Sequence, residues 1–78
     1  MPSIRQALIH GTKFLNPFSP SPDRDAILLL IKAMGTSESN FWQTDHNLLL
    51  SQKSQAQFEK FLQQAGNNMP IAYILGFT

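Results

Sequence analysis

The segment SPDRDAILLLIKAMG, residues 21–35, decides the fold because it carries helix signals at both ends of an apolar run. Ser21 is a favoured N-cap residue, and Pro22 suits the first position of a helix. Lys32 and Gly35 are typical of the opposite end, where the helix dipole favours positive charge and glycine adopts a left-handed conformation. The segment therefore predicts a helix that begins at Pro22 and ends before Gly35.

The run between these signals, AILLLI at residues 26–31, is apolar around nearly the whole circumference of a helix. A helix of this kind is buried on most of its surface. A buried strand is the alternative for such a short run, but the capping residues and the length of the segment favour a helix. We therefore expect this helix to be the central element of the fold.

The N-terminal segment, residues 3–15, has apolar side chains at the i, i+3, i+4, i+7 spacing of an amphipathic helix. Ser3 can cap this helix, and Pro17 ends it because proline lacks an amide hydrogen and disfavours helical geometry in the residue before it. Residues 16–22 contain three of the five prolines and form a stiff connector to the central helix.

A short helical turn is predicted over residues 38–42, after the central helix. Phe41 and Trp42 lie in this turn, and we expect both side chains to anchor it in the core. A loop follows, up to about residue 50.

Two further helices complete the chain. Ser51 opens a long amphipathic helix, and Gly66 is expected to end it. Residues 71–75 form a last short helix before Gly76. Since no segment predicts a convincing strand, the predicted fold class is all-α, a small bundle of four to five helices with no sheet.

Length and composition limit the class of protein. The 78 residues, of which 42 % are hydrophobic and 14 % charged, suffice for one domain with a modest core. The absence of cysteine excludes disulfides and thiolate chemistry. No apolar stretch approaches the ~20 residues that span a bilayer, and the N-terminus lacks the pattern of a signal peptide. We therefore expect a cytoplasmic protein that does not associate with membranes.

Candidate catalytic and ligand-binding groups are few. His10 and His46 are far apart in the sequence, without a neighbouring carboxylate pair at metal-ligand spacing. Asp23 and Asp25 do not face each other on a helix, and stabilisation of the helix dipole explains both. The four glycines form no phosphate-binding loop. The sequence therefore predicts no catalytic, cofactor-binding or metal-binding residue in this chain.

The six basic residues are spread along the sequence without a cluster, and the net charge is only +1. Direct binding of nucleic acid depends on a concentrated basic surface. We therefore expect no direct contact with nucleic acid.

The closing segment PIAYILG, residues 70–76, resembles a motif of the HemK/PrmC family. The motif, Gly-Glu-Pro-(apolar)-Ala-Tyr-(apolar)-(apolar or Thr)-Gly, closes the N-terminal domain of these enzymes. Residues 25–29, DAILL, are similar to the family's Asp-Ala-Glu-Leu-Leu in the second helix, and Leu50-Ser51 is similar to its Leu-(Ser or Thr) helix start. The resemblance covers nearly the whole chain in the expected order.

The chain departs from the family pattern mainly at charged positions. Family members often carry a glutamate in the second helix, two arginines near the end of the fourth helix, and Gly-Glu before the closing proline. The corresponding residues here are Ile27, Gln64, Ala65, Asn68 and Met69. The lost charges change the electrostatic contacts available to a partner at that edge of the domain.

Members of the HemK/PrmC family are glutamine methyltransferases that act on peptide chain release factors. The resemblance implies that residues 1–75 form a five-helix N-terminal domain that helps to dock the protein substrate. Residues 76–78 then begin the linker to a catalytic domain absent from this chain. That second domain holds S-adenosylmethionine, so the intact protein is implied to be an S-adenosylmethionine-dependent enzyme. The chain alone is expected to be monomeric, without cofactor or catalytic activity.

The resemblance implies two kinds of contact surface, one for release factors and one for the protein's own catalytic domain. The candidate docking residues are Arg24, Lys32 and Asn67, and the candidates for interdomain contact are Tyr73 and Phe77. Two alternatives remain open. The chain could be the same domain of the sister enzyme that methylates a large-subunit ribosomal protein, or a free-standing helical interaction module.

Overall fold

The structure is a computed structural model that describes residues 1–76. These residues form five helices and no strand, which confirms the all-α class. The helices are α1 (Ile4–Leu15), α2 (Pro22–Met34), α3 (Glu38–Gln43), α4 (Gln52–Gly66) and α5 (Ile71–Leu75). One isolated antiparallel bridge joins Ser3 to Leu49.

Helix α1 begins with a reciprocal pair of hydrogen bonds. The Gln6 backbone N–H donates to the Ser3 hydroxyl oxygen at 3.1 Å, and the Ser3 backbone N–H donates to Gln6 Oε1 at 2.9 Å. This capping box satisfies two backbone donors that the first turn of a helix leaves unpaired. The predicted role of Ser3 is thus confirmed.

Helix α2 begins and ends where the sequence predicts, but its N-terminal contact differs. Gly35 follows the helix with a left-handed φ of 67°. The Ser21 side chain, expected to cap the helix, makes no capping hydrogen bond. Instead the Ser19 hydroxyl donates to the Asp25 carboxylate and accepts the Ser21 backbone N–H at 3.1 Å. Ser19 of the connector therefore makes hydrogen bonds at the start of α2, whereas the side chain of the N-cap residue Ser21 makes no capping hydrogen bond.

The core is organised around α2, which packs against α1, α4 and α5. Ala26, Leu29 and Leu30 have no solvent exposure, and every residue from 26 to 31 is buried or half-buried. The other helices contribute buried side chains that pack onto this centre, namely Ile4, Ala7, Leu15, Phe58, Phe61, Leu62, Ala65 and Ile74. The central position predicted for α2 is therefore confirmed.

The helix directions give the bundle two distinct ends. The short connector makes α2 antiparallel to α1. Helix α4 runs in the same direction as α1, because Pro2 and Gln55 line one cleft near their starts and Phe14 lies against Gly66 near their ends. We call the end that holds α3 and the start of α1 the α3 end. We call the opposite end, with the connector and the turn before α5, the α5 end.

Trp42 is not a core residue, which corrects the sequence prediction. Phe41 is fully buried, whereas Trp42 is 55 % exposed. Consecutive residues of a helix point about 100° apart, so a helix of six residues on the edge of the bundle directs only one of two neighbouring aromatic side chains inward.

Helix α4 ends at Gly66, as the sequence predicts, but Gly66 does not supply the left-handed residue after the helix. It is the last helical residue, Asn67 is the C-cap, and Asn68 adopts the left-handed conformation with φ 68°. Gly66 instead lies against the Phe14 ring, and a Cβ added there would come within 3.2 Å of the ring atoms. Its small size allows the close packing of α1 on α4.

Gly11 allows a tighter contact, and this generates a stability prediction. A Cβ added at Gly11 would lie 2.6 Å from Cζ of the buried Phe58 ring and 3.3 Å from Ala26 Cβ. Overpacking costs about 1–3 kcal/mol, and the better helix propensity of alanine returns about 1 kcal/mol. We expect Gly11→Ala to lower the free energy of unfolding by about 1 kcal/mol, measured by urea denaturation.

Gly66→Ala is the matched control, because it gains the same helix propensity beside Phe14, a ring only partly buried. We expect it to be neutral or stabilising. Equal effects of the two substitutions would contradict the packing described for Gly11.

Candidate docking surface

The structure offers surfaces rather than an enclosed site. No polar or charged side chain among residues 1–76 is buried. The same residues bring together no group of three His, Cys, Asp or Glu side chains able to hold a metal ion. None of their helices combines the length and the apolar character needed to cross a bilayer.

The three predicted docking residues are exposed but do not meet in one place. Arg24 lies in the first turn of α2 and Lys32 in its last turn, about 12 Å apart at 1.5 Å per residue. Asn67 caps α4 at the α5 end, in a shallow groove with Phe14 and Phe18. Arg24 and Asn67 therefore share one end of the bundle, while Lys32 lies toward the other.

The predicted interdomain residues belong to the α5 end. Tyr73 is 75 % exposed, whereas its neighbour Ile74 is buried against the core. The five-residue helix α5 thus packs its isoleucine and leucine side chains against the core and presents the aromatic ring of Tyr73 outward. Phe77 lies outside the described residues.

Four of the six basic residues lie on the first two helices, all of them exposed. Arg5 and Lys13 occupy the exposed side of α1, eight residues apart, and Arg24 and Lys32 occupy the exposed side of α2 at the same spacing. Helices α1 and α2 pack side by side.

The two stripes have the same pattern of side chains. Ile9 lies midway between Arg5 and Lys13 on α1, and Leu28 lies midway between the two basic residues of α2. Residues at i, i+4 and i+8 fall on one side of a helix, so each stripe reads basic, apolar, basic.

A largely apolar groove lies between α1 and α2. It has a volume of about 340 Å³ and is lined by Leu8, Ile9, Thr12, Lys13, Asp23 and Ile27. The Ile9 side chain is 51 % exposed there. Asp23 is the one acidic residue in the lining, and its carboxylate is not within 4.0 Å of any basic group of residues 1–76.

The α3 end carries a second exposed apolar region, made of Trp42, Leu48 and Leu49. The Trp42 ring packs edge-on against Phe41 at 5.4 Å between centroids and lies 5.9 Å from the His46 ring. His46 Nε2–H donates to the Phe41 carbonyl oxygen at 3.1 Å and so fixes the loop beside the tryptophan. No docking role was predicted for this region.

The fold and these surfaces define a small helical-bundle domain whose exposed features suit contact with another protein surface. The chain matches the family model described as the PrmC N-terminal domain over residues 6–76. It belongs to this family, which confirms the resemblance to HemK/PrmC. No curated protein and no solved structure is significantly similar to the chain.

The exposure of Trp42 predicts a large difference between two adjacent aromatic residues. Truncating a fully buried phenylalanine costs about 3–5 kcal/mol, whereas most surface substitutions change stability by about 0.5 kcal/mol or less. We expect Phe41→Ala to lose most of that larger amount and Trp42→Ala to lose less than about 1 kcal/mol, measured by denaturant unfolding followed by circular dichroism. Similar losses of stability from the two substitutions would show that Trp42 contributes to the core as Phe41 does.

Proposed function

We propose that the chain is the N-terminal docking domain of a protein-(glutamine) methyltransferase that modifies peptide chain release factors with S-adenosylmethionine. The observation that carries this proposal is the family match over residues 6–76. The catalytic domain and the cofactor site belong to the rest of the enzyme. The enzyme would work in the cytoplasm, where release factors act.

A docking domain increases the effective concentration of the substrate. The reacting glutamine lies in a small loop, which binds weakly on its own. A second contact made by this chain converts loop binding into an intramolecular event and can raise overall affinity by orders of magnitude. The chain then contributes to KM rather than to the chemical step.

Two structural observations support the proposal that this chain docks the substrate while another domain carries out the chemical step. No charged side chain among residues 1–76 is buried, which suits recognition of a protein surface more than chemistry. Tyr73 projects from the last helix, where it can contact a domain that follows. The proposed interdomain contact through Tyr73 leaves the exposed sides of α1 and α2 and the α3 end free for a protein substrate.

We predict that an unmethylated release factor binds the isolated chain. NMR titration of the ¹⁵N-labelled chain is expected to show shifts confined to one surface. A large-subunit ribosomal protein is the matched control, and preferential binding of that protein would identify the sister enzyme instead. If neither protein causes shifts, the docking role is wrong.

We also predict that the chain alone binds no S-adenosylmethionine, because the cofactor site belongs to the catalytic domain. Isothermal titration of the chain with the cofactor should give only the heat of dilution. Saturable binding would contradict the assignment of the cofactor site to the other domain.

A further inference from the structure

We infer that a cavity at the α5 end binds the guanidinium group of an arginine side chain presented by a partner protein, with the Asp25 carboxylate as its ion-pair partner. The cavity lies between the connector and the turn before α5 and has a volume of about 270 Å³. The inference deepens the proposed function, on which it rests for one point, that the arginine belongs to the docked protein.

The charge of the cavity lining indicates a cationic ligand. Asp25 is the one charged residue among the described residues that line it, and its carboxylate has no basic group of residues 1–76 within 4.0 Å. Arg24 is next to it in the sequence but does not line the cavity. The first turn of α2 holds two acidic residues and one basic residue, a net charge of −1. A positive group in the cavity therefore meets an unpaired carboxylate, and electrostatic complementarity favours it.

The Asp25 carboxylate is held in place but keeps acceptor positions for a ligand. The Ser19 hydroxyl donates to this carboxylate and itself accepts the Ser21 backbone N–H, which fixes the serine side chain. An ionised carboxylate has about four acceptor positions, of which Ser19 occupies one. The half-buried carboxylate is thus preorganised to accept N–H donors from a ligand in the cavity.

The other lining residues favour arginine over lysine or a metal ion. The Phe18 ring lines the cavity, is 50 % exposed, and packs against the Phe14 ring at 5.9 Å between centroids. A planar guanidinium stacks on an aromatic ring and pairs with a carboxylate through two parallel hydrogen bonds, a geometry that the compact lysine ammonium does not match. The Asn68 side chain offers a further oxygen acceptor. A single carboxylate does not supply the oxygen ligands that a divalent cation needs.

The cavity is preformed and has the size of one side chain. On the connector side, the Ser19 N–H donates to the Leu15 carbonyl oxygen at 2.9 Å. On the other side, the Met69 N–H donates to the Gln64 carbonyl oxygen at 3.1 Å, so both walls are tied to a helix end. The volume of about 270 Å³ lies below the ~300–1,000 Å³ of typical small-molecule sites, which suits one long side chain more than a cofactor.

The cavity stays accessible when Tyr73 contacts a following domain. Ile71 lines the cavity, and Tyr73 is two residues further along α5. Successive helical residues are rotated by about 100°, so these two side chains leave the helix in nearly opposite directions. A protein bound at the cavity and a domain bound at Tyr73 therefore occupy different sides of α5.

The test uses the full chain and two capped tripeptides, Gly-Arg-Gly and Gly-citrulline-Gly. Citrulline has the shape of arginine without its positive charge. Binding is followed by NMR shifts of the ¹⁵N-labelled chain. We expect the arginine peptide to cause saturable shifts centred on Ser19, Asp25 and Asn68, and to bind about tenfold or more tightly than the citrulline peptide. Its affinity should fall as ionic strength rises.

Two aspartates of the same helical turn supply a matched comparison. Asp25→Asn removes the charge but keeps the shape, and should weaken binding of the arginine peptide by about tenfold or more. Asp23→Asn removes an equal charge at a residue that does not line the cavity, and should change the affinity by less than about threefold. Circular dichroism checks that both variants remain folded.

A gain of affinity supplies a test that misfolding cannot imitate. Met69 lines the cavity and is 42 % exposed, so Met69→Glu adds a second carboxylate and should tighten binding by about threefold or more. Phe18→Leu removes the aromatic wall and should weaken binding. Trp42→Leu, at an exposed aromatic residue outside the cavity, should not.

Several results would overturn the inference. These are equal binding of the arginine and citrulline peptides, equal effects of the two aspartate substitutions, no gain from Met69→Glu, and shifts centred away from the cavity. Self-association of the chain that Asp25→Asn abolishes, detected by analytical ultracentrifugation, would assign the cavity to a second copy of the chain and also overturn it.

The same titration with a release factor separates this inference from the proposed function. Shifts centred on Trp42 or on the groove between α1 and α2 would leave the docking function standing and refute the cavity as a site for the docked protein. Arginine binding in the cavity without binding of the release factor would instead support the cavity and refute that substrate.

Discussion

The structure depends on the complete burial of one side of α2. Ala26, Leu29 and Leu30 have no solvent exposure, and burying each leucine contributes about 1.5–3 kcal/mol. With a single small domain and no disulfide, the fold has few other sources of stability. Helices α1, α4 and α5 all pack on α2, so its position determines where their own surfaces lie.

The burial of α2 also determines which of its side chains lie on the surface. Once Ala26 and Leu29 face the core, the geometry of the helix directs Arg24 and Lys32 outward. Ala7 and Gly11 fix α1 in the same way and leave Lys13 on its exposed side. Two separate core requirements thus leave basic side chains exposed on two neighbouring helices.

The helices were predictable because their signals are local. Ser3, Pro22 and Gly35 mark helix ends through contacts within a few residues, and the closing motif indicated the family that the match over residues 6–76 shows. The sequence predictions were wrong where contacts between distant parts of the chain determine the structure. The sequence cannot show which of two adjacent aromatic residues faces the core. It also did not show that Gly66 packs against Phe14 while Asn68 adopts the left-handed conformation after α4.

The candidate surface was only partly predictable for the same reason. Arg24 and Lys32 were identified individually, but the groove lined by Ile9 and Ile27 depends on how α1 packs beside α2. Asn67 and Lys32 were treated as one docking set, yet they lie toward different ends of the bundle. Contacts between helices, which local patterns do not encode, determine both results.

Native-state hydrogen exchange tests the central role of α2 most directly. The backbone amides of Leu29 and Leu30 should exchange only through global unfolding, with the free energy measured by denaturation. Amides of α3, which holds few contacts with the other helices, should exchange through smaller openings. Exchange of the α2 amides at a lower free energy than those of Phe58 and Leu62 in α4 would contradict the account.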